Sequence, residues 1–150
     1  MNIEHEIKNT IPLPLSQKTI INILYTSNSI KEDLSRFFKS FDLSIEQYNV
    51  LRILRGQRGT PANLSTIQER MINKMSNTTR LVDKLIIKNL ATRNTCSSNR
   101  RKIEVLITQR GLDLMEQLNA ELLTRERGLT KQLTDEELET LNDLLDKIRT

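Results

Sequence analysis

Two groups of cations dominate the middle of the chain. Arg80, Lys84 and Lys88 recur every four residues, a spacing that sets them along one side of a helix. Arg100, Arg101 and Lys102 are consecutive and follow Asn99. Short hydrogen-bonding side chains precede the first group at Ser76, Asn77, Thr78 and Thr79, and others lie upstream at Asn63, Ser65 and Thr66. Guanidinium and ammonium groups bind phosphate, while hydroxyl and amide groups reach phosphates or base edges. The chemistry on offer is therefore capture of a polyanion. From Lys74 to Arg110, nine basic residues stand against Asp83 and Glu104 alone. The last stretch reverses that sign, with Asp135, Glu136, Glu137, Glu139, Asp143 and Asp146 against Lys147 and Arg149. A formal net charge of +4 and a pI near 9.4 permit a nucleic-acid partner, and the local surplus marks where it would sit.

Each group also has a plainer explanation. Arg80, Lys84 and Lys88 fit a solvated helix face, and Asn77, Thr78 and Thr79 fit first-turn capping. Coincidence of the helix cations with the Asn99–Lys102 group shifts the balance towards nucleic acid. Other chemistries find little support. The sole histidine, His5, sits in a polar lead, the four glycines are scattered, and no Cys/His/carboxylate spacing suits a metal. An enzyme, a metal site and a cofactor are not expected. The lone Cys96 cannot form an internal disulfide and reads as an unmodified thiol. No apolar run is long enough to span a membrane, and the N-terminus lacks a signal-peptide pattern, so a cytoplasmic location with no membrane partner is expected.

The elements that position these groups follow from periodicity. Met75, Thr78, Val82, Leu85 and Ile86 predict an amphipathic helix over Ser76–Lys88, ended by Asn89, which tolerates the left-handed conformation. A short run from Leu90 to Asn94, a polar tip from Thr95 to Lys102 and the alternating Ile103, Val105 and Ile107 predict two strands around a basic tip. Asn63 caps a short helix to Met71, which completes a helix-turn-helix. Ser44 caps the helix before it, with Gly56 near its end and a turn at Gly59-Thr60-Pro61. Upstream, Met1–Lys8 reads as a mobile polar lead, and Ile11-Pro12-Leu13-Pro14-Leu15 as an extended arm. Ser16 is then expected to cap a helix of about six turns carrying Ile20, Ile23, Leu24, Ile30, Leu34, Phe37 and Phe38. Downstream, Thr108 caps a helix with Leu112, Met115, Leu118, Leu122 and Leu129 on one side, and Gly111 in its first turn allows a close approach. A break is expected between Arg127 and Leu133, followed by a Thr134–Glu137 capping box and a helix bearing Leu138, Leu141, Leu144, Leu145 and Ile148.

The predicted fold is mainly α with a small β wing. At 150 residues the chain is read as a single domain, with a winged helix-turn-helix at about 44–108 and long helices at about 16–40 and 109–149. Those long helices carry more leucine and isoleucine than the small unit can cover, and pairing with a second copy would bury the excess.

Thr79-Arg80-Leu81-Val82-Asp83-Lys84-Leu85, Asn99-Arg100-Arg101-Lys102 and Leu106-Ile107-Thr108-Gln109-Arg110-Gly111, in this order of helices, resemble the MarR (multiple antibiotic resistance regulator) family over nearly the whole chain. The resemblance implies a homodimeric, cytoplasmic bacterial transcription regulator on a pseudo-palindromic double-stranded operator, usually a repressor relieved by a small-molecule effector or by oxidation. It places Ser76, Asn77, Thr79 and Arg80 in or beside the major groove, Lys84 and Lys88 on phosphates, and Asn63, Ser65 and Thr66 on the backbone. Arg101 would enter the minor groove, with Arg100 and Lys102 on phosphates. Three departures stand out. Asn99 replaces the aspartate of the family's Asp-x-Arg tip and can orient Arg101 only by hydrogen bonding. Asn89 stands where glycine is usual. The first long helix lacks the cysteine of the family's peroxide sensors. A winged helix can also bind protein rather than DNA, and that alternative predicts salt-insensitive or absent duplex binding.

Overall fold

The chain begins with an element that its polar sequence does not announce. The computed structural model describes residues 1–95, 98, 99 and 102–150. Instead of a mobile lead, residues Ile3–Glu6 form α1, capped by the Asn2 side chain, which accepts the His5 N–H at 3.0 Å. Ile3 is buried and anchors this turn against α2, Leu15–Lys39. Glu4 fastens the arm further, accepting the Leu13 N–H at 2.9 Å and the Lys18 ammonium at 3.2 Å. Ser16 does not cap α2. Pro14 occupies the N-cap, with φ −52° and ψ 143°, and the helix starts at the next residue. The proline lacks a donor where none is needed and its fixed φ leads directly into the first turn.

α2 ends in buried Phe37 and Phe38, and Phe38 stacks on Tyr48 at 4.3 Å between ring centroids. Asp42, with φ +56°, turns the chain into α3, Ile45–Gly56. Ser44 caps it as expected, and the Gln47 side chain completes a reciprocal capping box. Val50, Leu51, Ile53 and Leu54 make α3 the centre of the unit, packed against α2, α4 (Leu64–Arg70), α5 (Thr78–Ile87) and β2 (Ile103–Ile107). β1, Ala91–Thr95, pairs antiparallel with β2, from Ala91 opposite Ile107 to Thr95 opposite Ile103. Ala62 adds a one-residue third rung, exchanging both backbone hydrogen bonds with Val105 at 3.0 and 2.8 Å.

Asn89 takes the left-handed conformation, φ +60°, that ends α5. Thr108 then closes the wing and opens α6, Gln109–Thr130. Its hydroxyl donates to the Asn89 carbonyl at 2.7 Å and accepts the Gly111 N–H at 3.0 Å. A Cβ on Gly111 would lie 2.5 Å from the Leu90 carbonyl oxygen, which explains the missing side chain.

Residues 1–112 form one compact unit and 113–150 another. In the second, Met115, Leu118 and Leu122 are buried, whereas Leu129 is exposed. α6 runs through Gly128 and breaks after Thr130. Thr134 and Glu137 form the capping box of α7, Asp135–Arg149, none of whose residues is buried.

Candidate nucleic-acid interface

α5 begins two residues later than its sequence suggests. Asn77 is its N-cap, accepting the Arg80 N–H at 3.1 Å, because its amide oxygen can replace the missing intrahelical acceptor. Thr78, Val82 and Leu85 face the core, but Met75 does not: it lies in the turn, 91% exposed. Ser76 also precedes the helix, and its hydroxyl is buried with no hydrogen-bond partner among the described residues. It is therefore turned away from the surface on which Thr79, Arg80 and Lys84 stand exposed.

The turn between α4 and α5 is held by polar side chains that periodicity does not reveal. Gln68 donates to the Lys74 carbonyl at 2.8 Å and accepts the Thr78 hydroxyl. Asn49, buried on α3, accepts the Ile72 N–H at 2.9 Å. Asn73 accepts the Met75 N–H at 3.0 Å. These contacts fix the angle at which α5 leaves α4. The legible signal was a polar residue inside an apolar stripe, Asn49 beside Val50 and Leu51, since buried amides are hydrogen-bonded in folded proteins.

Asn63 caps α4, its side-chain oxygen accepting the Thr66 N–H and the Ser65 hydroxyl, both at 2.8 Å. Thr66 is half-buried and Ser65 exposed. Asn63, Leu64 and Ser65 line a surface recess of about 200 Å³ with Lys102 and Ile103, so the start of α4 and the root of the wing meet. Lys102 is exposed, and its N–H donates to the Asn99 carbonyl at 2.9 Å. Arg100 and Arg101, together with Cys96, lie outside the described residues. Arg93, on β1, pairs with Asp83 of α5 at 3.0 Å.

Lys88 does not join the exposed cations. Its ammonium donates to the Asp42 carbonyl and to Gln47 Oε1, the latter at 3.0 Å, and lies 3.7 Å from the Asp42 carboxylate. Among the described residues no helix is long and apolar enough to cross a membrane.

A helix-turn-helix with a capped, cation-bearing second helix and a basic two-stranded wing beside it defines a winged helix-turn-helix protein. The sequence profile of the MarR family matches residues 43–103, the α3-to-wing segment. Two relatives extend the match. The HTH-type transcriptional regulator PecS of Dickeya dadantii is 29% identical over 122 residues, covering 79% of this chain and 72% of PecS. A MarR transcription factor from Planctomyces limnophilus is 29% identical with a TM-score of 0.70, covering 91% of this chain and 98% of its own. These matches make the chain similar to transcriptional regulators of the MarR family. A mutant MarR from E. coli, crystallised with operator DNA, shares the fold at a TM-score of 0.74 and 23% identity over 99% of both chains.

Proposed function

We propose that the chain is a sequence-specific, double-stranded DNA-binding regulator that acts in the cytoplasm as a homodimeric repressor relieved by a small ligand. The observation that carries the DNA-binding reading is the exposed row of Thr79, Arg80 and Lys84 on α5, with Lys102 beside the start of α4. The operator complex of the E. coli relative supports the same reading. The N-terminal half of α5 enters the major groove, with Asn77, Thr79 and Arg80 nearest the base edges. Lys84 follows one turn later on the flanking phosphates. Ser65, Thr66 and Asn63 hold the start of α4 against the backbone, and Lys102 shares that phosphate path. Arg101 would enter the minor groove, with Arg100 on phosphate and Asn99 beside them in sequence. Ser76 contributes through the turn rather than by contact, since its hydroxyl is buried.

On this reading the whole chain is one MarR-like domain in which the winged helix reads DNA and the long helices pair. A bound small ligand would alter the separation of the two α5 helices and their fit to half-sites about one helical turn apart.

Alanine variants of Arg80, Arg101 and Lys102 test the assignment, with binding compared on a duplex selected by the wild type and on random DNA. Arg80→Ala is expected to lose about 1–3 kcal/mol of discrimination between the two. Lys102→Ala should weaken both alike and lower the salt slope by about one unit per site. Arg101→Ala should lose more affinity than Lys102→Ala and also lose preference for A·T-rich flanks. Three variants indistinguishable from wild type on both duplexes would end the reading.

A further inference from the structure

Lys88 has the position of a phosphate-binding residue and the surroundings of a structural one. It is the C-cap of α5, where a cation also meets the negative end of the helix dipole. An ammonium has three donors, and three oxygens surround this one, two from Asp42 and one from Gln47. Those partners lie 41 and 46 residues away in sequence.

The Gln47 oxygen matters most. Gln47 is only 6% exposed, and the same Oε1 that accepts Lys88 also accepts the Ser44 N–H at 3.2 Å. One atom thus caps α3 and receives α5. The Asp42 carboxylate is 94% exposed, so the surrounding water screens it and its pairing adds little. Its carbonyl is presented by the left-handed turn at φ +56°. The corner itself is tied to α2, because the Leu43 N–H donates to the Phe38 carbonyl at 3.0 Å and Phe38 is buried.

We propose that Lys88 is a positioning residue that locks the end of the recognition helix to the α2–α3 corner, so that α5 follows displacements of α2. It does not bind phosphate. The proposal rests on the DNA-binding reading for its functional consequence. With α5 referenced to α2, the distance between recognition helices is set by the long helices, and loss of the lock loosens that distance.

Lys88→Met keeps the aliphatic stem and removes the donors, and Lys88→Arg restores them. In the DNA-free protein, hydrogen exchange at the Lys88 and Asn89 amides, bonded to the Lys84 and Ile86 carbonyls, should quicken about tenfold in Lys88→Met and return towards wild type in Lys88→Arg. Unchanged exchange in Lys88→Met overturns the lock whatever the protein does with DNA. On a duplex selected from a random pool by the wild type, Lys88→Met should keep the wild-type salt slope. Its discrimination against a duplex with one base pair inserted between half-sites should fall about threefold. A slope reduced by about one unit per site, with spacing discrimination intact, identifies a phosphate contact and overturns the proposal. Spacing discrimination equal to wild type also overturns it, leaving Lys88 an ordinary stabilising contact. Failure of the wild type to select any duplex refutes DNA binding instead, and the exchange experiment still decides the lock.

Discussion

The winged helix and the long helices treat the same kinds of residue differently. Between α3 and β2, the apolar side chains Val50, Leu51, Leu54, Ile67, Met71, Val82, Leu85 and Val105 are all buried. On the long helices part of the apolar stripe stays open, with Leu24 60%, Leu144 54% and Ile148 55% exposed, although Met115, Leu118 and Leu122 are buried. Charge follows the opposite division, cations gathering on α5 and the wing and carboxylates on α7. A region that covers its own core can present a polar surface to a ligand. A region that leaves leucine rows in water retains a hydrophobic driving force for association. The contrast supports a division of labour in which the first reads DNA and the second pairs two copies.

Charging the open stripe should have the largest effect. Leu141→Asp combined with Leu145→Asp is expected to convert a dimer into monomers or aggregates, because two carboxylates would enter an apolar interface. Light scattering at micromolar concentration reads the mass. A monomer mass for the wild type would remove the pairing half of the contrast and the two-fold operator geometry with it.

The glycines sharpen the contrast with opposite signs. Gly111→Ala forces a Cβ to 2.5 Å from a backbone oxygen, which cannot swing aside, and should cost about 1–3 kcal/mol in chemical denaturation. Gly128 sits within α6 with nothing inside 4 Å of an added Cβ. Gly128→Ala should therefore stabilise by roughly 0.5–1 kcal/mol through helix propensity. A destabilised Gly128→Ala would mean that this part of α6 makes a close approach in the assembled protein.

The smallest effect concerns the N-terminal arm. The Leu13 N–H, and then the Lys18 ammonium, hold the Glu4 carboxyl below its ordinary value of 4.5. A carboxylate whose pKa is depressed by folding stabilises the fold above its unfolded pKa, and that contribution fades as pH falls through the folded value. The arm should be fully fastened at neutral pH and released only in acid, below the ordinary carboxylate range. Exchange of the Leu13 amide should rise in that window in the wild type, and be raised at every pH in Glu4→Gln. An amide equally protected in both proteins at all pH values would show that Glu4 does not hold the arm.

How much of this was legible depends on how local each cause is. Ser44, Asn63, Thr108 and Thr134 were readable as caps because a cap needs only its own side chain and the next few N–H groups. The Gly111 approach was readable because helix and wing adjoin in sequence. Ser16 misled because a good capping residue lay one position inside a helix that Pro14 had already begun. Met75 and Ser76 matched the helical period by chance, and the cap at Asn77 excluded them. Ala62 could not be assigned to the wing, since its partner Val105 is distant in sequence and one residue carries no periodicity. In the candidate site, spacing placed Thr79, Arg80, Lys84 and Lys88 on a helix, but spacing is blind to partners. The structure turns Lys88 to Asp42 and Gln47 and leaves the other three exposed.

The central claim is that the exposed cations of α5 and the wing bind duplex DNA as a dimer. Fluorescence anisotropy against the promoter DNA flanking the protein's own gene, titrated across salt concentrations, tests it most directly. Two protomers should bind per duplex, and the logarithm of affinity should fall linearly with the logarithm of salt, with a slope of about −5 or steeper, as six or more neutralised phosphates require. Binding that is absent, or that does not change with salt, would contradict it and favour a winged helix that docks on another protein.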